Sequence, residues 1–233
     1  MNCDGRLDPL HSVLHDIWLE KLNAARKDGR MGPWISTIHP RKLGCELLEG
    51  SMHGSLNLCQ TAIFSDQTKG ILRLPLGHLT HPEYADEKVV AEVGVLKLLR
   101  ERTTILVPVV RAWGRAADNV LGLGPFILMD VVEGVSGSDL LSDYRAGFGT
   151  RLLRKDISER KLELLFRQLA QFQLELFSLD FDSLSSVPIP EEGVAAPKRP
   201  LTWKAHKILH RGAIDTFGMA SRHTPGHFML TGV

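Results

Sequence analysis

A single charge inside an apolar strand constrains this chain more than any other feature. Residues 47–76 read LLEGSMHGSLNLCQTAIFSDQTKGILRLPL. Gly50 and Gly54 precede the small polar residues Ser55 and Asn57, and an apolar run from Leu58 to Phe64 ends at a polar turn, Ser65 to Gly70. A second run, Ile71 to Leu74, stops at Pro75. The spacing predicts strand, glycine turn, strand, polar turn, strand. Arg73 then lies between two leucines of the third strand, and a charge there is costly unless something pairs with it. The segment Gly50-Ser51-Met52-His53-Gly54 has two uses open to it. Its backbone N–H groups can cradle an oxyanion, or it is a hairpin turn that binds nothing. It is neither GxGxxG nor GxxxxGK[ST], so the pattern alone does not choose.

The partner for Arg73 is sought on the next helix, read from Asp86 as its cap to Arg102. Val89, Val93, Leu96 and Leu99 form its apolar stripe. Glu92 lies three after Val89 and four before Leu96, so it points with the stripe. Glu92 is therefore the expected partner of Arg73. The alternative is a glutamate at the rim paired with Lys88 or Lys97.

Upstream, Asp8-Pro9 is expected to open a helix whose apolar face is Leu10, Val13, Leu14, Ile17 and Trp18. His11 and His15 are four apart, but no HExxH and no third ligand accompany them, so two half-exposed histidines are the expectation. Gly32-Pro33 and His39-Pro40 mark residues 30–44 as a connection. Downstream, a strand is expected near Pro108 to Arg115, then turns at Ala116 to Asn119 and Leu121 to Pro125. Phe126 to Met129 reads as a buried strand. Ser138-Asp139 starts a short helix. Asp156-Ile157-Ser158-Glu159 resembles a capping box ahead of the longest helix. Leu162, Leu165, Leu169, Phe172 and Leu176 mark that helix as carrying a core stripe. Proline-rich residues 187–200 form a loop, Leu201 to Arg211 a last short element, and 220–233 show no period.

With 233 residues the chain has room for one large domain or two small lobes. Its 28 basic and 27 acidic residues leave a net charge of +1, which gives no general attraction to nucleic acid or to an anionic membrane. Three cysteines, Cys3, Cys45 and Cys59, form no CxxC pair, which fits a reducing compartment better than a disulfide framework or zinc site. No basic-then-apolar leader and no run of 18 apolar residues is present, so a cytoplasmic protein is expected.

Several segments together resemble the aminoglycoside phosphotransferase and choline kinase superfamily, in particular its fungal branch. They are GSLNLC, ILRLPLG, EKVVAEVGVLKLLRERTTILVPVV, LGLGPFILMDVVEG and KLELLFRQLAQFQLELFSLDF, with RPLTWKAHKILHRGAI as a later segment. The likeness covers about Cys45 to Ile214. It implies an α+β, protein-kinase-like fold. The small lobe is a five-stranded antiparallel sheet with one helix, followed by the helical start of an incomplete large lobe. The expected organisation is an N-terminal helical extension (1–44), the small lobe (45–133), a partial helical large lobe (134–214) and a divergent tail (215–233).

The resemblance implies ATP under the glycine turn, bound weakly. Gly50, Gly54 and Ser55 belong to that turn, Arg73 stands where a strand lysine touches the phosphates, and Glu92 pairs with it. Met129, Asp130 and Val131 match the segment that hydrogen-bonds adenine through its backbone. Arginine for lysine is a departure, since a guanidinium is bulkier and always charged. The larger departure is the missing HxDxxxxN loop: none of the ten histidines is followed two positions later by aspartate. That loop and a later aspartate supply the base and hold magnesium, so neither Mg²⁺ nor efficient transfer is expected of this chain. The expectation is thus an inactive phosphotransferase-like protein, with a non-catalytic nucleotide-binding or interaction module, or a truncated gene product, as alternatives. No acceptor molecule is named by the sequence. A protein partner covering apolar surface of the partial large lobe is expected; nucleic acid and membrane are not.

Overall fold

A computed structural model describes residues 4–54, 56–79, 84–143, 153–181, 187, 189, 192 and 193. The described residues form two compact units. One comprises residues up to 98, 108–131 and those beyond 181; the other comprises 99–107 and 132–181.

The first unit is an antiparallel sheet between helices, which makes it α+β. Its strands are β1 (Cys45–Leu47), β2 (Met52–His53), β3 (Asn57–Phe64), β4 (Lys69–Pro75), β5 (Val110–Gly114) and β6 (Phe126–Asp130). Their order is β1-β3-β4-β6-β5, with β2 also paired to β3. Six strands therefore replace the expected five. The reason is local: β1 and β2 lie along the same edge of β3 and are separated by a bulge. β3 alternates half-buried and buried positions along its whole length, as a strand covered on both faces by different elements should.

One face is covered by α1 (Asp4–Lys27) and α2 (Met31–Ile38), the other by α3 (Ala85–Arg102). Leu22, Met31, Ile35, Leu58, Leu72, Leu74 and Leu128 are fully buried on the first face. Each such side chain contributes about 1.5–3 kcal/mol relative to exposure. Trp18 Nε1 donates to Leu123 O at 3.0 Å, and Trp34 meets Phe126 edge-to-face at 5.0 Å. On the second face Val89, Val90 and Val93 pack with Ile127, Met129 and Ile189.

The N-terminal region differs from expectation in three ways. The first helix is already formed at Asp4, so Asp8-Pro9 lie inside it and do not open it. Its buried stripe is Trp18, Leu22 and Ala25, while Val13, Leu14 and Ile17 are exposed. Residues 30–44 are not merely a connection but contain α2, with Pro33 at the third helical position. Proline is tolerated there because first-turn N–H groups lack intrahelical partners. Asp86 falls in the first turn of α3, and its Oδ1 accepts from the Ala116 backbone N at 2.7 Å.

In the second unit, α4 (Gly137–Leu141) is capped by Ser136, whose hydroxyl accepts from Ser138 N at 3.3 Å. α5 (Glu159–Phe177) begins after Ser158 without the expected capping box, because Asp156 pairs instead with Arg154. Its apolar stripe is in place, but none of its residues is buried; Leu169 is 47% exposed. The core stripe expected there is thus corrected to an exposed one. The element expected at 201–211 and the tail lie outside the described residues.

Candidate functional site

The edge hairpin fixes the position of the glycines. Leu47 is paired with Ala62 and Met52 with Cys59, so residues 48–51 stand opposite only Gln60 and Thr61. This surplus is the bulge that splits the first strand. Gln60, fully buried, holds it: its Nε2 donates to Leu48 O at 2.8 Å and to Thr61 O at 3.0 Å. Gly50 sits in the bulge at φ +79°, a conformation that favours glycine, and its carbonyl accepts from Arg26 Nη2 at 3.2 Å. Gly54 lies at the hairpin turn, with its N–H donating to Asn57 O at 2.9 Å. The expected single glycine turn from Gly50 to Gly54 is therefore corrected: Met52 and His53 are strand, Gly50 belongs to a bulge, and the turn begins at Gly54. Ser55 lies outside the described residues.

Arg73 is opposite Cys59 on β3 and beside Ile127 on β6. Alternation along β4 sends it to the face that α3 covers, where its Nη1 pairs with Glu92 Oε1. Both side chains keep some solvent contact, at 32% and 23% exposure. Asn57, two residues before Cys59 on the same face, completes the arrangement. With its amide oriented to suit both of its polar atoms, Oδ1 accepts from Arg73 Nη2 at 2.7 Å and from Nε at 3.2 Å. The guanidinium is thereby held by a carboxylate on one side and an amide oxygen on the other.

Lys88 lies one helical turn before Glu92. Burial pushes its ammonium below the ordinary lysine value and Arg73 pushes the same way, while Glu92 opposes them. Burial raises the Cys59 thiol, with Glu92 adding to the rise and Arg73 opposing it. Lys97, the alternative partner of Glu92, pairs with Glu192, whose other oxygen accepts from Trp113 Nε1 at 2.6 Å.

The strand-end residues are placed differently from expectation. Met129 is buried among the α3 valines, and its backbone lies in the sheet between Ile71 and Val110. Asp130 N donates to Val109 O at 2.9 Å and Val131 N to Lys69 O at 3.3 Å. The backbone donors of Asp130 and Val131 are therefore engaged within the sheet. The Asp130 carboxylate faces away from Arg73, towards the end of α2, and holds Arg111 through two 2.6 Å bonds.

The structure thus joins Arg73 and Glu92, and adds Asn57 and Lys88. Gly50, Met129 and the Asp130 side chain stand apart from them. Asn57 was visible only as a small polar residue near the glycines, because its contact depends on hairpin register. Comparison with protein-family models, with curated proteins and with solved structures finds no match to this chain.

Proposed function

We propose that the α3-covered face around Arg73 binds the phosphate chain of a nucleotide, in a kinase-like small lobe of the aminoglycoside phosphotransferase kind. The observation that carries this is the Arg73–Glu92 pair, which links the third long strand to the helix beside a glycine-bearing hairpin. With the bulged β1–β2 edge taken as one strand, the antiparallel sheet with α3 on one face is consistent with the small lobe that the resemblance implies. Arg73 contributes the fixed positive charge, and Glu92 and Asn57 orient it.

Binding is the proposed activity of these residues, and phosphoryl transfer is assigned to none of them. The sequence contains no HxDxxxxN. Among the described residues of the cluster the one carboxylate is Glu92, which Arg73 already engages, so the cluster does not fit Mg²⁺. Because the Asp130 and Val131 backbone donors are used in the sheet, adenine recognition contributes little. ATP is expected to bind with a Kd on the order of millimolar, without magnesium, and GTP within about tenfold of it. Isothermal titration calorimetry with magnesium-free ATP tests this: binding lost in Arg73→Ala supports it, and equal binding by that variant overturns it.

A second function, docking to a partner protein, is favoured by α5, whose Leu164, Phe166, Leu169, Phe172 and Leu176 are all exposed. Light scattering that shows a concentration-independent monomer of both the native chain and a Phe172→Glu variant would count against it.

A further inference from the structure

The apolar stripe of α5 follows a heptad repeat. Leu162, Leu165, Leu169, Phe172 and Leu176 are spaced alternately by three and four, which makes them positions a, d, a, d and a of a helix–helix seam. Leu162 and Leu165 are half-buried, and the other three are exposed. We propose that this seam pairs with α5 of a second copy of the chain, antiparallel about a two-fold axis. The proposal rests on the docking reading of the stripe and names its partner.

The charges beside the seam choose both the partner and the direction. The g positions of α5 are Lys161, Gln168 and Glu175. In an antiparallel pair of helices g positions face g positions, whereas in a parallel pair they face e positions. Antiparallel pairing with the axis beside Arg167 brings Lys161 to Glu175 of the second copy, twice by symmetry, and Gln168 to its own equivalent. The seam layers are then Leu162 with Phe172 and Leu165 with Leu169. Phe166, at an e position and 62% exposed, meets its equivalent across the axis. Parallel pairing would set Lys161 against Phe166, Gln168 against Gln173 and Glu175 towards Asp180, with no opposite charges matched.

The remaining polar groups of α5 suit this arrangement. Thr104 donates to both oxygens of Glu175, from its backbone N at 2.6 Å and its hydroxyl at 2.7 Å. These bonds hold the carboxyl below the ordinary glutamate value and fix its direction. A carboxylate so held keeps lone pairs for a lysine. Arg167, at an f position on the outer face, is paired with Glu163 of its own helix at 2.6 Å. The seam itself carries no charge.

Sedimentation equilibrium of the full chain at low ionic strength tests the pairing. The native chain is expected to dimerise with a Kd below about 1 mM, and Phe172→Glu to weaken dimerisation about a hundredfold. Orientation is read at Gln168, which is exposed and beside the seam. Gln168→Lys and Gln168→Glu are each expected to weaken dimerisation about threefold, because like charges then face each other across the axis. An equal mixture of these two variants is expected to recover the native affinity. If Phe172→Glu abolishes the dimer but the mixture recovers nothing, the antiparallel pairing is overturned while docking through the stripe stands. A native chain that stays monomeric, or a dimer indifferent to Phe172→Glu, overturns both.

Discussion

Arg73 is held by Glu92 on one side and by Asn57 on the other, and this fixes what its replacement should do. Arg73→Ala leaves a half-buried carboxylate without its partner and is expected to lower stability by about 1–2 kcal/mol, measured by urea denaturation. A double-mutant cycle with Glu92→Gln should show a smaller loss for the pair than the sum of the singles, because removing both leaves nothing unpaired. The pairing was legible in the sequence: a cation between leucines requires a partner, and the helical period placed Glu92 on the right face. Lys88 and Lys97 could be separated as rivals only by packing, since Lys97 turns to Glu192. Asn57 was not legible as a clamp. It lies diagonal to Arg73 across the β3–β4 ladder, a relation set by register and not by sequence spacing.

His39 carries a separate prediction. Burial lowers its pKa from 6.5, Arg41 and Arg111 lower it further, and Asp66 and Asp130 oppose them. The unfolded chain therefore binds a proton at this position before the folded one does. Its contribution to stability is present above pH 6.5 and is lost as pH falls from there through the lower folded value. His39→Gln should flatten this part of the pH–stability curve; an unchanged slope would contradict it. Asp66 acts at lower pH: hydrogen bonds from Thr68 foremost, with Arg41, hold its carboxyl at about 2 against an ordinary 3.8. Its contribution is present above 3.8 and is lost as pH falls towards 2.

Among the elements, α3 depends on one missing side chain. A Cβ at Gly94 would come within 2.7 Å of the Val187 carbonyl oxygen. Gly94→Ala should raise helix propensity yet destabilise the fold by about 1–3 kcal/mol. Thermal denaturation checks the sign, and a stabilised variant would mean that the segment at Val187 is not packed there. The strands β3, β4 and β6 were readable because alternating or continuous apolar runs end at clear turn residues. α2 was not, because Gly32-Pro33 signals a loop while proline in a first helical turn costs little. The edge bulge was hidden for a similar reason. Its surplus residues are accommodated by the buried Gln60 amide and the Arg26–Gly50 contact, both long-range. Periodicity placed α5 correctly but could not show that its stripe stays exposed, since burial is a property of the surroundings.

At the level of the molecule, one sheet presents two chemically different faces. The α3 side holds Arg73, Glu92, Asn57 and Lys88; the α1–α2 side holds the buried His39. Among the described residues no helix is long and apolar enough to cross a membrane. The central claim is that a nucleotide occupies the Arg73 side, bound by its phosphates. The most direct test is backbone amide NMR of the chain titrated with magnesium-free ATP. Shifts at Gly54, Leu56, Asn57, Cys59, Arg73 and Glu92, with His39 to Lys42 unmoved, are the predicted result. Shifts confined to His39–Lys42, or none along β4 and α3, would contradict it.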